Sequence, residues 1–224
     1  MTHLDTELQY LKKDIMELWK ITQSQLERGK KALINFDRDL ARQIIATEKR
    51  VNAYELKIDR DCENIFALFN PVAIDLRFVL AVLKINSNLE RIGDIAEGVA
   101  RFVVDVDKQF SAELLEKTHV IQMFDLSIDI LSDTAVAFEK EDTQLARTIF
   151  MKDEKLDEIN STASYKIADY IKAHPDQLRE SLHVLSMIRK LERVGDQSKN
   201  IAEEIIFYLE AKVLKHLSAK QKQE

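Results

Sequence analysis

Between residues 72 and 108, Phe78, Ala81, Ile85, Leu89, Ile92, Ala96, Val99 and Val103 fall on one arc at about 100° per residue. That spacing predicts a long amphipathic helix. Similar patterning predicts five more, over residues 4–36, 38–69, 112–140, 142–173 and 176–215. Pro71 and Pro175 stand just before the third and sixth of these, where a helix tolerates proline in its first turn. Asn70 is expected to cap the third helix, and a turn at His174 to precede the sixth. Three long antiparallel helices with short connections form an up-down bundle.

The chain repeats itself. Asp37, Leu40-Ala41-Arg42 and Ile44 recur as Asp142, Leu145-Ala146-Arg147 and Ile149, and the same register pairs Trp19 with Phe124 and Leu26 with Leu131. Further on, Leu89-Glu90-Arg91-Ile92-Gly93-Asp94 recurs as Leu191-Glu192-Arg193-Val194-Gly195-Asp196. Such self-similarity marks a duplicated supersecondary unit. The expected fold is all-α, with two tandem three-helix bundles of six long helices related by internal pseudo-two-fold symmetry. The first bundle is placed at residues 1–109 and the second at 110–217, with a polar tail at 218–224.

Composition agrees with helix and narrows the function. Four glycines and two prolines in 224 residues are too few turn residues for a β or α/β protein of this size. A net charge of −6, with both signs mixed, argues against nucleic-acid binding, which needs a concentrated basic surface. The single cysteine, Cys62, excludes an internal disulfide and fits a reducing compartment as a small core residue. The amino terminus carries early acids and no apolar signal-peptide core. No uncharged stretch approaches the roughly 20 residues that span a bilayer. The expected location is cytoplasmic.

Candidate chemistry lies in acidic stripes. Residues four apart on a helix are neighbours, so Glu90 and Asp94 project together with Glu97 on the same line. Glu192, Asp196, Asn200 and Glu203 form the matching stripe. On the second helix of each half, Glu48, Asn52, Glu55 and Asp59 share a face, as do Asp153, Asp157 and Asn160. If those helices are neighbours, two stripes of carboxylate and amide oxygens run side by side on an outer face. Such oxygens suit Mg²⁺, Mn²⁺ or iron. The plain alternative is a solvated acidic face, with Arg91 and Arg193 neutralising Asp94 and Asp196 at i+3. Glycine costs about 1 kcal/mol relative to alanine inside a helix. Gly93 and Gly195 at matching places therefore point to close helix packing. A di-iron site would need two inward-facing Glu-x-x-His elements; the counterpart of Glu180 and His183 in the first half is Phe78 and Ala81, so the duplication does not supply the second copy. No phosphate loop, zinc spacing or nucleophile elbow occurs, and nothing supports catalysis.

The segment Pro71-Val72-Ala73-Ile74-Asp75-Leu76-Arg77, followed by the two Glu-Arg-x-Gly-Asp copies and Asn200-Ile201-Ala202-Glu203, resembles the signature of the PhoU family over nearly the whole chain. The resemblance implies a non-enzymatic, negative regulator of the phosphate-starvation response. It would act between the nucleotide-binding subunit of the phosphate ABC transporter and the phosphate sensor histidine kinase, as a homodimer that reaches the membrane only through partners. It also implies a divalent or trivalent metal ion (iron, zinc, manganese or magnesium) on acidic helix motifs. Carried over by position, these are Glu48 with Asn52 and Glu90 with Asp94, then Asp153 with Asp157 and Glu192 with Asp196, followed by Asn200. Gly98 stands where the second half has Asn200, and Asn52 where it has Asp157, so the second half is expected to hold metal more tightly. The competing readings are a metal-storage or redox bundle and a helical scaffold without metal.

Overall fold

The computed structural model describes residues 2–214. The chain forms α1 (His3–Asn35), α2 (Arg38–Phe69), α3 (Ala73–Asp105), a short α4 (Ala112–Thr118), α5 (Val120–Lys140), α6 (Thr143–Ala173) and α7 (Leu178–Glu210), with one 3₁₀ turn at Pro175–Gln177. The expected polar tail lies outside the described residues. Among those residues no helix is long and apolar enough to cross a membrane.

The repeated aspartates act as helix caps. Phe36 and Glu141 close α1 and α5 in the left-handed conformation. Asp37 and Asp142 then accept hydrogen bonds from the backbone N–H of Leu40 (2.8 Å) and Leu145 (2.9 Å). Each satisfies one donor that a helix start would leave orphaned.

Two details differ from the sequence expectation. The predicted helix 112–140 is broken at His119, whose φ is 58°. Thr118, buried beside it, turns its hydroxyl back onto the Leu114 carbonyl at 2.7 Å. Leu114 and Val120 are both buried, one on either side of the break. Asn70 does not cap α3: it sits in the left-handed region with φ 46° and ends α2, and Val72 precedes α3 without a side-chain cap. Asparagine tolerates that conformation better than most residues, so it serves the helix end and not the helix start.

The two bundles share one continuous core. Trp19, on α1, is fully buried, donates its indole N–H to the Leu131 carbonyl at 3.2 Å and packs its ring on Phe138 at 5.5 Å, both on α5. The longer seam is α3 against α7. Arg77 Nε donates to the Tyr208 carbonyl at 3.1 Å, Lys84 bridges Glu204 at 2.9 Å, and Phe102 faces His183 at 4.9 Å. Numbers rise on one helix as they fall on the other, so the pair is antiparallel and Gly93 stands level with Gly195. These glycines are equivalent in the repeat, so the internal two-fold passes through the Glu-Arg-x-Gly-Asp motifs.

Glu180 and His183 are also spent on this seam. Glu180 is buried within 4.0 Å of Lys108, and burial lowers the His183 pKa against Phe102. Cys62 is a core residue whose thiol is pushed up to about 12 by burial.

Truncating a buried tryptophan typically costs about 3–5 kcal/mol. Trp19→Ala should lose stability on that scale while unfolding in urea, followed by far-UV circular dichroism, stays a single transition. Two separate transitions would show that the halves do not share their stability.

Candidate metal site

The acidic stripes of the second and third helices face one another, but they are not fully on the outside. Glu48 reaches inward from α2, and both its carboxylate oxygens are buried with no hydrogen-bond partner. Its equivalent in the repeat, Asp153 on α6, is only 2% exposed.

The mid-helix glycines explain how these acids fit. A Cβ on Gly195 would lie well inside van der Waals contact of Asp153 Oδ1 and 2.7 Å from Leu156 Cδ1. On Gly93 it would stand 3.0 Å from Val51 Cγ1, 3.4 Å from Gln25 Oε1 and 3.5 Å from Glu48 Oε2. In both halves the absent side chain opens the notch into which the partner helix sets its carboxylate.

Around the first notch the charges are mainly acidic, with Arg91 and Arg101 at its edge. Burial raises the Glu48 carboxyl to about 7, reinforced by Asp94, Glu97 and Glu90, while the Gln25 amide pulls the other way. Glu90 is raised by burial and by Asp94 and Glu55. Glu97 is tied to Arg101 at 2.5 Å on the solvent side. Asp59, farther along α2, accepts from the buried Asn86 amide at 2.8 Å. Asn52, expected to pair with Glu48, is exposed at the surface.

The second notch is built differently. Lys199 Nζ lies 2.5 Å from Asp153 Oδ2 and 2.8 Å from Asp196 Oδ1, bridging α6 to α7. Burial still raises the Asp153 carboxyl to about 6, because desolvation outweighs the bridge, and the Lys199 ammonium is pushed up by both carboxylates. Glu192 is raised by burial and by the nearby Asp196, Asp157 and Asp153. Asn200 does not join this group. Its amide turns across the seam to Asn88 on α3 at 3.4 Å, in a cleft that Arg91 also lines. Nor does Arg193 neutralise Asp196: that role falls to Lys199.

Among the described residues, no three carboxylate, histidine or cysteine side chains converge closely enough to enclose a metal ion. The donor chemistry nevertheless fits a hard cation in the first half. It is all oxygen, and Glu48 together with the buried Gln25 amide is left without partners. Glu48, Glu90 and Asp94 are the carboxylates that would have to close on an ion there, and it would supply positive charge to a carboxylate-rich notch. The second half does not fit as well, since an ammonium already stands between its acids. Donor counting favours the second half for metal, and the Lys199 ammonium between Asp153 and Asp196 weighs the other way.

Gln25 and Lys199 were not anticipated as site residues. Lys199 occupies the place of Glu97 in the repeat, a sign change visible once the halves are compared position by position. Gln25 is an amide on the apolar arc of α1 beside Leu18, Thr22 and Leu26, all of them buried.

Long rods, a duplicated three-helix unit and paired acidic notches define a class of duplicated helical-bundle proteins. The PhoU domain family model matches residues 15–103 and 120–205. The phosphate-specific transport system accessory proteins PhoU of Edwardsiella tarda and Escherichia coli are each 30% identical over 95% of this chain, covering 87% and 88% of their own lengths. A PhoU homolog from Aquifex aeolicus is 28% identical over 97% of this chain and 98% of its own. The crystal structure of PhoU from Pseudomonas aeruginosa superposes with a TM-score of 0.85 at 27% identity, covering 94% of this chain and 100% of that one. The Streptococcus pneumoniae regulatory protein PhoU gives 0.83 at 30% identity, covering 94% and 99%. The chain belongs to the PhoU family.

Gly195→Ala should destabilise by about 1–3 kcal/mol, because a buried carboxylate must shift, less the roughly 1 kcal/mol that alanine gains in helix propensity. Gly93→Ala should cost less, since its nearest neighbour is a methyl group at 3.0 Å. Urea denaturation of both variants checks the order.

A raised carboxyl favours the folded state while protonated, and loses that contribution as pH climbs from its unfolded value through about 7. Glu48→Gln should therefore melt above wild type at pH 8 in chelator, with the gap closing by about pH 4. Equal melting temperatures at pH 8 would show the Glu48 charge to be well solvated.

Proposed function

We propose that this chain is an accessory regulator of phosphate uptake that holds the phosphate-starvation response off when phosphate is plentiful. The observation that carries this reading is the end-to-end match. The chain spans 95% of its own length and 87–88% of two relatives named for the phosphate-specific transport system, with both family repeats present.

In this reading the chain works in the cytoplasm as a homodimer. Its partners are the nucleotide-binding subunit of the phosphate ABC transporter and the phosphate sensor histidine kinase. Exposed apolar residues support a docking role. Leu68, Val72, Ile74 and Leu76 cluster at the α2–α3 turn, and Leu178 and Leu182 lie near the start of α7. A metal ion on the acidic stripe of α2 and α3, at Glu48, Glu90 and Asp94, would brace the first bundle by cancelling its like charges. The alternative of an iron-storage or redox bundle loses its best residues, because Glu180 and His183 are engaged in helix packing.

Deleting the gene in its native host should leave phosphate-responsive transcription switched on in rich phosphate, read with a reporter fused to a phosphate-starvation promoter. Normal repression in the deletion strain would remove the regulatory reading.

A further inference from the structure

The repeat has kept its cores and exchanged charges at several positions, one of them beside the notch. Glu97 in α3 and Lys199 in α7 hold the same position in the Glu-Arg-x-Gly-Asp segment, seven residues after Glu90 and Glu192. A second substitution lies on the first helix of each half. In the register that pairs Trp19 with Phe124 and Leu26 with Leu131, the counterpart of Gln25 is Ile130.

Both changes act on the same notch. In the first half, Gln25 is 1% exposed, and neither amide atom has a hydrogen-bond partner. Its Oε1 and Glu48 Oε2 lie within 3.5 Å of one point, where Gly93 would carry its Cβ. A buried amide and a buried carboxylate that lean on each other and meet no other partner, converging on one place, are a deficit that a cation corrects. In the second half, isoleucine supplies no oxygen and Lys199 supplies the positive charge. Its ammonium sits on Asp153 and Asp196 at 2.5 and 2.8 Å, and Asp153 is almost wholly buried.

We propose that the two halves have diverged into one notch that accepts a hard divalent cation, with Gln25 on α1 as an added oxygen ligand beside Glu48, and one notch closed to metal by Lys199. The inference rests on the reading that the α2–α3 stripe binds metal, and adds that the α6–α7 stripe does not. A metal entering the second notch would have to evict the ammonium from a buried carboxylate, and would find an apolar side chain where the first half has an amide.

Mn²⁺ is the probe, counted by the loss of its free-ion electron paramagnetic resonance signal in the full chain. Wild type should take up about one tight equivalent per chain. Gln25→Leu should weaken that site roughly tenfold, and Glu97→Lys should abolish it. Asp153→Asn with Asp196→Asn should leave uptake unchanged, and Lys199→Gln should add a second equivalent. Circular dichroism reports whether each variant is folded. If Lys199→Gln fails to fold, the Asp153→Asn, Asp196→Asn pair decides alone.

Loss of wild-type binding in that double variant, or full-strength binding in Gln25→Leu, would overturn the divergence while leaving a metal-binding protein. No Mn²⁺ uptake by wild type would overturn the inference together with the metal reading beneath it.

Discussion

Setting a carboxylate between packed helices is the constraint on which this molecule turns. Glu48 and Asp153 each reach from the second helix of a bundle towards a glycine of the third, and for Asp153 a Cβ at that glycine would leave no room. Taking a carboxylate out of water is costly unless it is protonated, hydrogen-bonded or paired with a cation. The two halves meet that cost in different ways. The second supplies its own ammonium, while the first gathers further acids round a neutral amide and leaves its buried oxygens unsatisfied.

The duplication makes the contrast visible. The buried faces have changed little between the copies: cap aspartates, notch glycines and the apolar arcs of α3 and α7 all correspond. Their role is to fill space and end helices, and both bundles need that equally. The exposed positions have drifted, as Asn52 against Asp157 illustrates, and one buried position has changed as well, Gln25 against Ile130. An antiparallel seam through equivalent residues tolerates such drift because its register is fixed by contacts at Phe102 and His183, Arg77 and Tyr208, and Lys84 and Glu204.

Most of the fold was legible in the sequence because helical periodicity and repetition are both local signals. The arcs predicted the rods, and the doubled Asp-x-x-Leu starts and Glu-Arg-x-Gly-Asp segments predicted the two bundles. The break at His119 was not legible: nothing in the residues around it departs from helical patterning, and Leu114 and Val120 on either side of it are both apolar and buried. The candidate site was legible in part. Spacing placed Glu48, Glu90 and Asp94 together, and Asp153 near Asp196, but put them on an outer face because apolar arcs cannot show that a glycine admits a neighbour's acid. Asn200 was assigned by its i+4 spacing from Asp196, and the structure turns it across the seam instead. Lys199 was passed over because a lysine in an acidic stripe reads as an ordinary surface pair.

The indole of Trp19 reaching the Leu131 carbonyl has a mechanical implication. With α1 pinned to α5 and α3 zipped to α7, the halves have no slack hinge between them, and the link at residues 106–111 is a tether and not a joint. A cut in that tether would leave two fragments still clasped together. Leverage applied by a partner at one end of the rods must then travel as a tilt of the whole body.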